Sequence, residues 1–324
     1  MLATHTDASR SPHVLTGINV FSGSQYKFSD PLSLTWTATK VWVSNGGIAT
    51  NVTGLSPLTG ALAVNLSGSN YGFNGETDIA TCGSDELVSN YTTNSVTEFN
   101  ASSGALVRVI SAGNYDLEYP NDIAVLNGDA YVADWTSDAV TEFNCTTGSL
   151  VRVVKGAKFK FAEPESIASS GSDLFVLNYH GNSNESVTEF SPSGALVRVI
   201  SGPSYKFDLP ASIVANSTDV WVSNYAGNSL TEFTASGALV RVIDAPNLKL
   251  DGPEHVTVAG NKLWVADARG NSVTTLNATT GALAHVYAGA AYRFRDPFDV
   301  VISGASTQAW VSNAASNSLT EFPV

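Results

Sequence analysis

From residue 14 onward the chain is built of short runs in which apolar and polar positions alternate, divided by small clusters of Gly, Asn, Ser, Thr and Asp. The unit that begins at Pro210 shows the pattern. "ASIVA" is short and apolar, "STD" turns the chain, and "VWVSN" is a β-branched and aromatic run. "YAGN" turns it again, "SLTEF" alternates, "TASG" closes a hairpin, and "ALVRVI" alternates once more. A period of two puts every second side chain on one face, the signature of a half-buried strand. No 3.6-residue period interrupts it. Each unit therefore predicts four antiparallel strands joined by tight turns.

The unit recurs. Aligned on the residue at its start, the copies begin at Pro31, Glu76 (where Pro is replaced), Pro120, Pro164, Pro210, Pro253 and Pro297. The spacings are 45, 44, 44, 46, 43 and 44 residues, the length of one four-stranded propeller blade. The last copy stops at "NSLTEFPV" without its fourth segment, and that segment stands at the other end, in "HVLTGINVF". A ring has a reason to split one repeat between its ends, because the shared blade leaves no free sheet edge. The expected fold is all-β: a seven-bladed β-propeller, four antiparallel strands per blade, closed by an N-terminal outer strand. Residues 1–12 read as a tail and 13–324 as one domain.

Two recurrent pairs read as scaffold. The Glu of "TEF" and the Arg of "LVRV" occur together as Glu98/Arg108, Glu142/Arg152, Glu189/Arg198 and Glu232/Arg241. They change together at Gly54/Asn65 and Thr275/His285, while Glu321 meets Asn19. This predicts cross-strand ion pairs on the outer, solvated side. An aromatic pair spaced i, i+2 precedes most anchors, as in Tyr26/Phe28 and Tyr205/Phe207, and reads as packing between blades.

The pattern "P-x-x-I-A-V … Y-V-A-D … V-T-E-F" resembles the NHL and YVTN-type propeller repeats and the repeat of the virginiamycin B lyase family. The resemblance spans residues 14–324. It implies the seven-bladed fold. For the lyase family it also implies a metal-assisted acid/His site at the channel mouth, where Glu254 and His255 follow Pro253 here.

Composition narrows the partners. Only 14% of residues are charged and the net charge is −13, so nucleic acid and anionic membrane surfaces are disfavoured. Apolar runs are strand-length, too short to span a bilayer as helices. The profile is that of a secreted monomer, and an extracytoplasmic location with the signal peptide outside this sequence is expected. Cys82 and Cys145 fall at unlike positions of different repeats and are expected to be unpaired.

Candidate chemistry lies where the copies disagree on the face made by the second-to-third and fourth-to-first strand loops. The Asn or Asp after "VWVS" occurs in every repeat and reads as a former of its own turn. The residue after it is aromatic in four consecutive repeats, Tyr91, Trp135, Tyr179 and Tyr225, and small in the others. This suits a platform for a small molecule, glycan or protein. His180 and Arg269 sit in the same loops, and Glu165 lies beside an anchor. Two residues after each anchor stand Ser33, Asp78, Asp122, Ser166, Ser212, His255 and Asp299. Glu254, His255 and Asp299 form a candidate acid/His catalytic group. Asp78 and Asp122 form a candidate pair for Ca²⁺ or Mg²⁺. The residues support first a non-catalytic ligand- or protein-binding scaffold, and second a lyase or hydrolase of the virginiamycin B lyase kind.

Overall fold

The computed structural model describes residues 17–47, 50–111, 113–179, 185–244 and 246–324. Its strands form seven four-stranded antiparallel sheets among the described residues. Blade 1 runs Pro31–Trp36, Val41–Asn45, Asn51–Leu55 and Leu62–Ser67 from the channel outward. Blades 2 to 6 repeat this order from Glu76, Pro120, Pro164, Pro210 and Pro253. Blade 7 takes its inner three strands from Pro297–Ile302, Gln308–Asn313 and Ser318–Pro323. Its outer strand is Asn19–Ser22, paired Asn19 to Glu321 and Ser22 to Ser318. The closure expected from the split repeat is therefore present. Inner strands pack cyclically, each on its neighbours and the first on the last. Among the described residues no helix is long and apolar enough to cross a membrane.

The core lies between blades rather than within them. Trp42, Val52 and Leu66 of blade 1 pack with Phe73, Ile79, Val88 and Phe99 of blade 2 or its entry loop. A corresponding cluster fills each of the other interfaces, including Phe21, Trp310 and Leu319 of blade 7 against Leu34, Val41 and Val43 of blade 1. The i, i+2 aromatics are part of this packing. Tyr26 stacks on Phe28 at 5.3 Å and Tyr71 on Phe73 at 5.1 Å. The residue between them is left-handed, as at Lys27 with φ 59°, a turn that lays the two rings parallel.

Three expectations are corrected. First, the Glu–Arg pairs are in register but not solvated. Glu98 stands opposite Arg108, Glu142 opposite Arg152, Glu189 opposite Arg198 and Glu232 opposite Arg241. Their N–O distances are 3.3, 3.1, 2.9 and 2.7 Å, and the carboxylates are at most 3% exposed. The arginines reach across to the next blade, where Arg108 donates to Thr146 O, Arg152 to Pro192 O and Arg241 to Thr279 O. These three pairs thus staple two blades each. In blade 1 the partner of Gly54 is Val64, not Asn65, which donates instead to Thr53.

Second, the Asn or Asp closing each second strand is fully buried and clamps the neighbouring strand as well as its turn. Asn90 donates to Thr97 at 2.8 Å and Thr97 to Tyr71 O at 2.6 Å. Asn224, Thr231 and Tyr205 O repeat the relay at 3.0 and 2.6 Å. A short amide reaches two elements here because the strand end is enclosed by the loop that enters its blade.

Third, Cys82 and Cys145 form a disulfide across blades 2 and 3, with their Cα atoms 6.2 Å apart. In a head-to-tail ring the front of one blade meets the back of the next, so contacts join unlike positions. Unlike repeat positions are what an inter-blade bridge requires. Cys145 occupies the slot of Ala101, Ala235 and Ala278, which lie against neighbouring blades.

Candidate functional site

Each inner strand is bulged just after its anchor, as between Pro120 and Asp122. The bulge detaches the first amides from the ladder, and side chains must satisfy them. The Ser of "VSN" takes one. Ser44, Ser89, Ser223 and Ser312 accept from Ser33, Asp78, Ser212 and Asp299 N–H at 2.9 to 3.0 Å. Ser312 then donates to Leu32 O and Ser223 to Glu254 O in the following blade.

The residues two after each anchor form a girdle around the channel. Asp299 accepts from Leu34 N–H, Ser33 from Ile79, Asp78 from Ile123, Asp122 from Ile167 and Ser166 from Ile213, all between 2.8 and 3.4 Å. Ser33 donates to Asp78 and Ser166 to Asp122, each at 2.6 Å. In five of the seven blades the polar side chain therefore holds the next blade's backbone; Ser212 and His255 are the exceptions. His255 and Asp299 meet, with Nδ1 2.8 Å from Oδ1, an ion-pair contact outside hydrogen-bond geometry. Burial opposes charge on His255, but Asp299, Asp122 and Asp78 outweigh it and hold the imidazole up at about 9. Burial, and then the neighbouring Asp122, hold Asp78 well above the usual carboxylate range. Ser212 Oγ, 2% exposed, has no hydrogen-bond partner among the described residues.

Asp78 and Asp122 come together as expected of a pair, yet among the described residues no three His, Cys, Asp or Glu side chains converge on a metal position. Their oxygens are directed at Ile123, Ile167, Ser33 and Ser166. With its carboxylate oxygens already accepting these hydrogen bonds, the pair is poorly suited to hold a Ca²⁺ or Mg²⁺ ion, and no step is drawn through one.

One residue after each anchor stand Leu32, Thr77, Asn121, Glu165, Ala211, Glu254 and Phe298. No two neighbours in this series are alike, and all line the mouth. Six of them border a channel cavity of about 160 Å³, together with Asp78, Asp122 and His255. A second cavity of about 310 Å³ lies across blades 4 to 6, lined by Glu165, Glu254, Tyr179, Tyr225, Leu209, Pro210 and Ala211. Glu165 and Ala211 border both, so the two form one funnel. Burial, then the charge of Glu254, push the Glu165 carboxyl up to about 8. Burial and Asp296 push Glu254 up to about 7, with His255 pulling the other way.

The aromatic sector is continuous in part. Trp135 and Tyr179 lie 5.4 Å apart on adjacent blades. Tyr91 packs at 4.6 Å on Tyr119, which is 40% exposed and was not among the residues singled out from sequence. The signal was available, since residue 119 precedes its anchor in a left-handed slot that is Gly75 or Gly252 in other blades. Arg269 is engaged. Its guanidinium lies 4.7 Å over the Tyr225 ring, donates to Tyr225 O and Asn228, and approaches Asp251 at 3.3 Å. It pins the Tyr225 loop. His180 lies outside the described residues.

A seven-bladed propeller with a funnel at one channel mouth is the class of protein this geometry defines. Among solved structures the chain is similar to a catalytically inactive virginiamycin B lyase from Staphylococcus aureus with quinupristin, at 16% identity and a TM-score of 0.77 over 95% of this chain and 99% of that one. It is similar to a streptogramin B lyase at 15% identity, TM-score 0.75, over 95% and 97%. Kuenenia stuttgartiensis hydrazine synthase matches at 16% identity, TM-score 0.76, over 92% and 96%. No protein-family model matches the chain, and no curated protein matches it significantly in sequence. At these identities the likeness is one of fold, and the neighbours' names already span different chemistries.

Proposed function

We propose that the chain is a non-catalytic binding propeller that takes a ligand in the funnel at the channel mouth. The observation that carries this reading is the cavity between Tyr179, Tyr225, Glu165 and Glu254, open to the channel. The carboxylates that would serve chemistry deeper in the channel are engaged in the girdle. An extracytoplasmic location is part of the proposal, supported by the Cys82–Cys145 bridge, which persists in oxidising compartments. The test is a screen against glycans, peptides and small amphiphiles. The ligand found should lose at least about tenfold in affinity in Tyr179→Ala and Trp135→Ala, with unchanged unfolding midpoints. A ligand that binds both variants as it binds the parent places the site elsewhere.

A second reading is favoured by one contact. Asp299 beside His255 is an arrangement that orients an imidazole and stabilises its charged form, and Glu254 adjoins it. On this reading the chain is a lyase, and quinupristin, present with the structural neighbour, is the substrate to try. Consumption of quinupristin that disappears in His255→Ala supports it. Quinupristin left intact by the wild-type protein removes that substrate.

A further inference from the structure

The mouth is asymmetric in a way that selects a ligand. On the side of blades 4 to 6 it offers two carboxyl groups, Glu165 and Glu254, with Tyr179 and Tyr225 between them. On the side of blades 7 and 1 it offers Phe298 and Leu32, both half-buried at the channel cavity. No Lys or Arg lines either cavity among the described residues, and Glu254 makes no side-chain hydrogen bond to any described residue. A neighbouring guanidinium, Arg269, lies over the Tyr225 ring and shows that this ring accepts a cation. Ser212 Oγ, buried and without a hydrogen-bond partner among the described residues, stands in the girdle between Ser166 and His255.

We propose that the funnel binds an organic ammonium ion carrying an apolar group, with the cationic head between Glu165, Glu254, Tyr179 and Tyr225 and the apolar part against Phe298 and Leu32. The physics is that of desolvated cations. Aromatic faces attract an alkylammonium through their quadrupole, and a bound cation draws Glu165 and Glu254, which burial raises to about 8 and about 7 in the empty funnel, into the charged form that pairs with it. An anionic ligand would meet two carboxyl groups, and the imidazole at the channel cavity, His255, is already engaged by Asp299. A neutral ligand would leave them desolvated and unpaired. A hard metal ion is disfavoured because tyrosine faces supply no oxygen ligands in the number it needs. The proposal rests on the binding reading above and specifies its ligand.

The experiment is calorimetric titration of the whole protein with four probes: choline, its neutral isostere 3,3-dimethylbutan-1-ol, tetramethylammonium and benzyltrimethylammonium. Choline should bind about tenfold tighter than the isostere, the effect of one desolvated cation–π or ion contact. Benzyltrimethylammonium should bind tighter than tetramethylammonium, and Phe298→Ala should remove that difference alone. Glu165→Gln and Glu254→Gln, which keep shape, should each weaken choline and leave the isostere unchanged. If the isostere binds as tightly as choline, the ammonium proposal falls while binding at this face stands. If none of the four binds, the ammonium proposal falls, and the broader reading is judged by the Tyr179→Ala and Trp135→Ala screen. If binding is equal in wild type and both glutamine variants, the ammonium binds at another place and the assignment is overturned. The wild-type comparison needs no variant, so a misfolded substitution does not shelter the proposal.

Discussion

Arg241 grips Glu232 through two hydrogen bonds, at 2.7 and 3.0 Å, and with the same guanidinium donates to Thr279 O of the next blade. A carboxylate 3% exposed is thereby neutralised by a side chain that also joins two sheets. Removing the arginine alone strands the charge. We expect Arg241→Met to cost about 2 kcal/mol, and Glu232→Gln with Arg241→Met to cost less than the sum of the singles by about 1 kcal/mol or more. Urea unfolding of the four proteins in the cycle measures this coupling. Additive costs would show that the pair is only adjacent.

The disulfide closes a loop of 63 residues in sequence separation. Loop-closure entropy gives such a link about 4 kcal/mol at most, and native strain lowers the realised figure. Cys82→Ala with Cys145→Ala should therefore destabilise by about 2–4 kcal/mol, and dithiothreitol should lower the melting temperature of the parent but not of the double variant. Mass spectrometry under non-reducing conditions checks the bond directly.

Glu76 stands where the other six blades have proline. Its carboxyl is fully buried, and among the described residues neither oxygen meets hydrogen-bond geometry, although the backbone N–H groups of Glu76 and Asn51 lie near enough to favour its charged form. Burial pushes it up to about 8. Glu76→Pro removes an unpaired polar group and supplies the residue the bulge accepts elsewhere. A gain of about 1–3 kcal/mol is expected, read as a higher urea midpoint with an unchanged slope. A loss would mean that Glu76 is held for a ligand or partner.

Stability should fall as pH rises. Glu76 and Glu165 are raised to about 8, and Glu86, Glu254 and Asp267 to about 7, each mainly by burial. Between the ordinary carboxylate range, 3.8 to 4.5, and these values the folded chain holds protons that the unfolded chain has released, so each group weakens the fold as pH climbs. His255, raised from 6.5 to about 9, acts in the same direction: its contribution is complete below 6.5 and lost through 9. The melting temperature should be higher at pH 5 than at pH 8.5. Asp134→Asn should flatten part of this slope. Thr141 contacts both Tyr115 O and Asp134 with a single proton to give, so the carboxyl must carry one where five other blades place an amide. A melting temperature that rises from pH 5 to 8.5 contradicts this account.

The ring was legible because its signal is repeated and local. Period-two alternation, the anchor spacing and the strand split between Asn19–Ser22 and Ser318–Pro323 can all be read without knowing a single contact. Contacts between blades were less legible, because they join unlike positions of the repeat. Comparing like with like set Cys82 and Cys145 apart and placed Glu98 in water, whereas the neighbouring blade covers both. The site was legible only at positions where repeats differ, and only some of these were weighed. Glu165 and Glu254 stand out by charge, while Phe298 and Leu32, in the same ring of positions, carry apolar side chains that no sequence pattern separates from the core.

Asn19 and Glu321, joined at 2.8 Å, lie 302 residues apart in the chain. During synthesis the first strand therefore has no sheet to join until Ser318–Pro323 has been made. Blades 1 to 6 each hold all four of their strands within a short stretch, and such local contacts form fast. The nascent chain is then a growing arc, and the funnel, whose walls come from blades at both ends of that arc, has no shape until the final strand is captured. On the proposed reading, ligand binding at the mouth would report ring closure, and a chain arrested just short of Ser318 would carry six complete blades and an open ring.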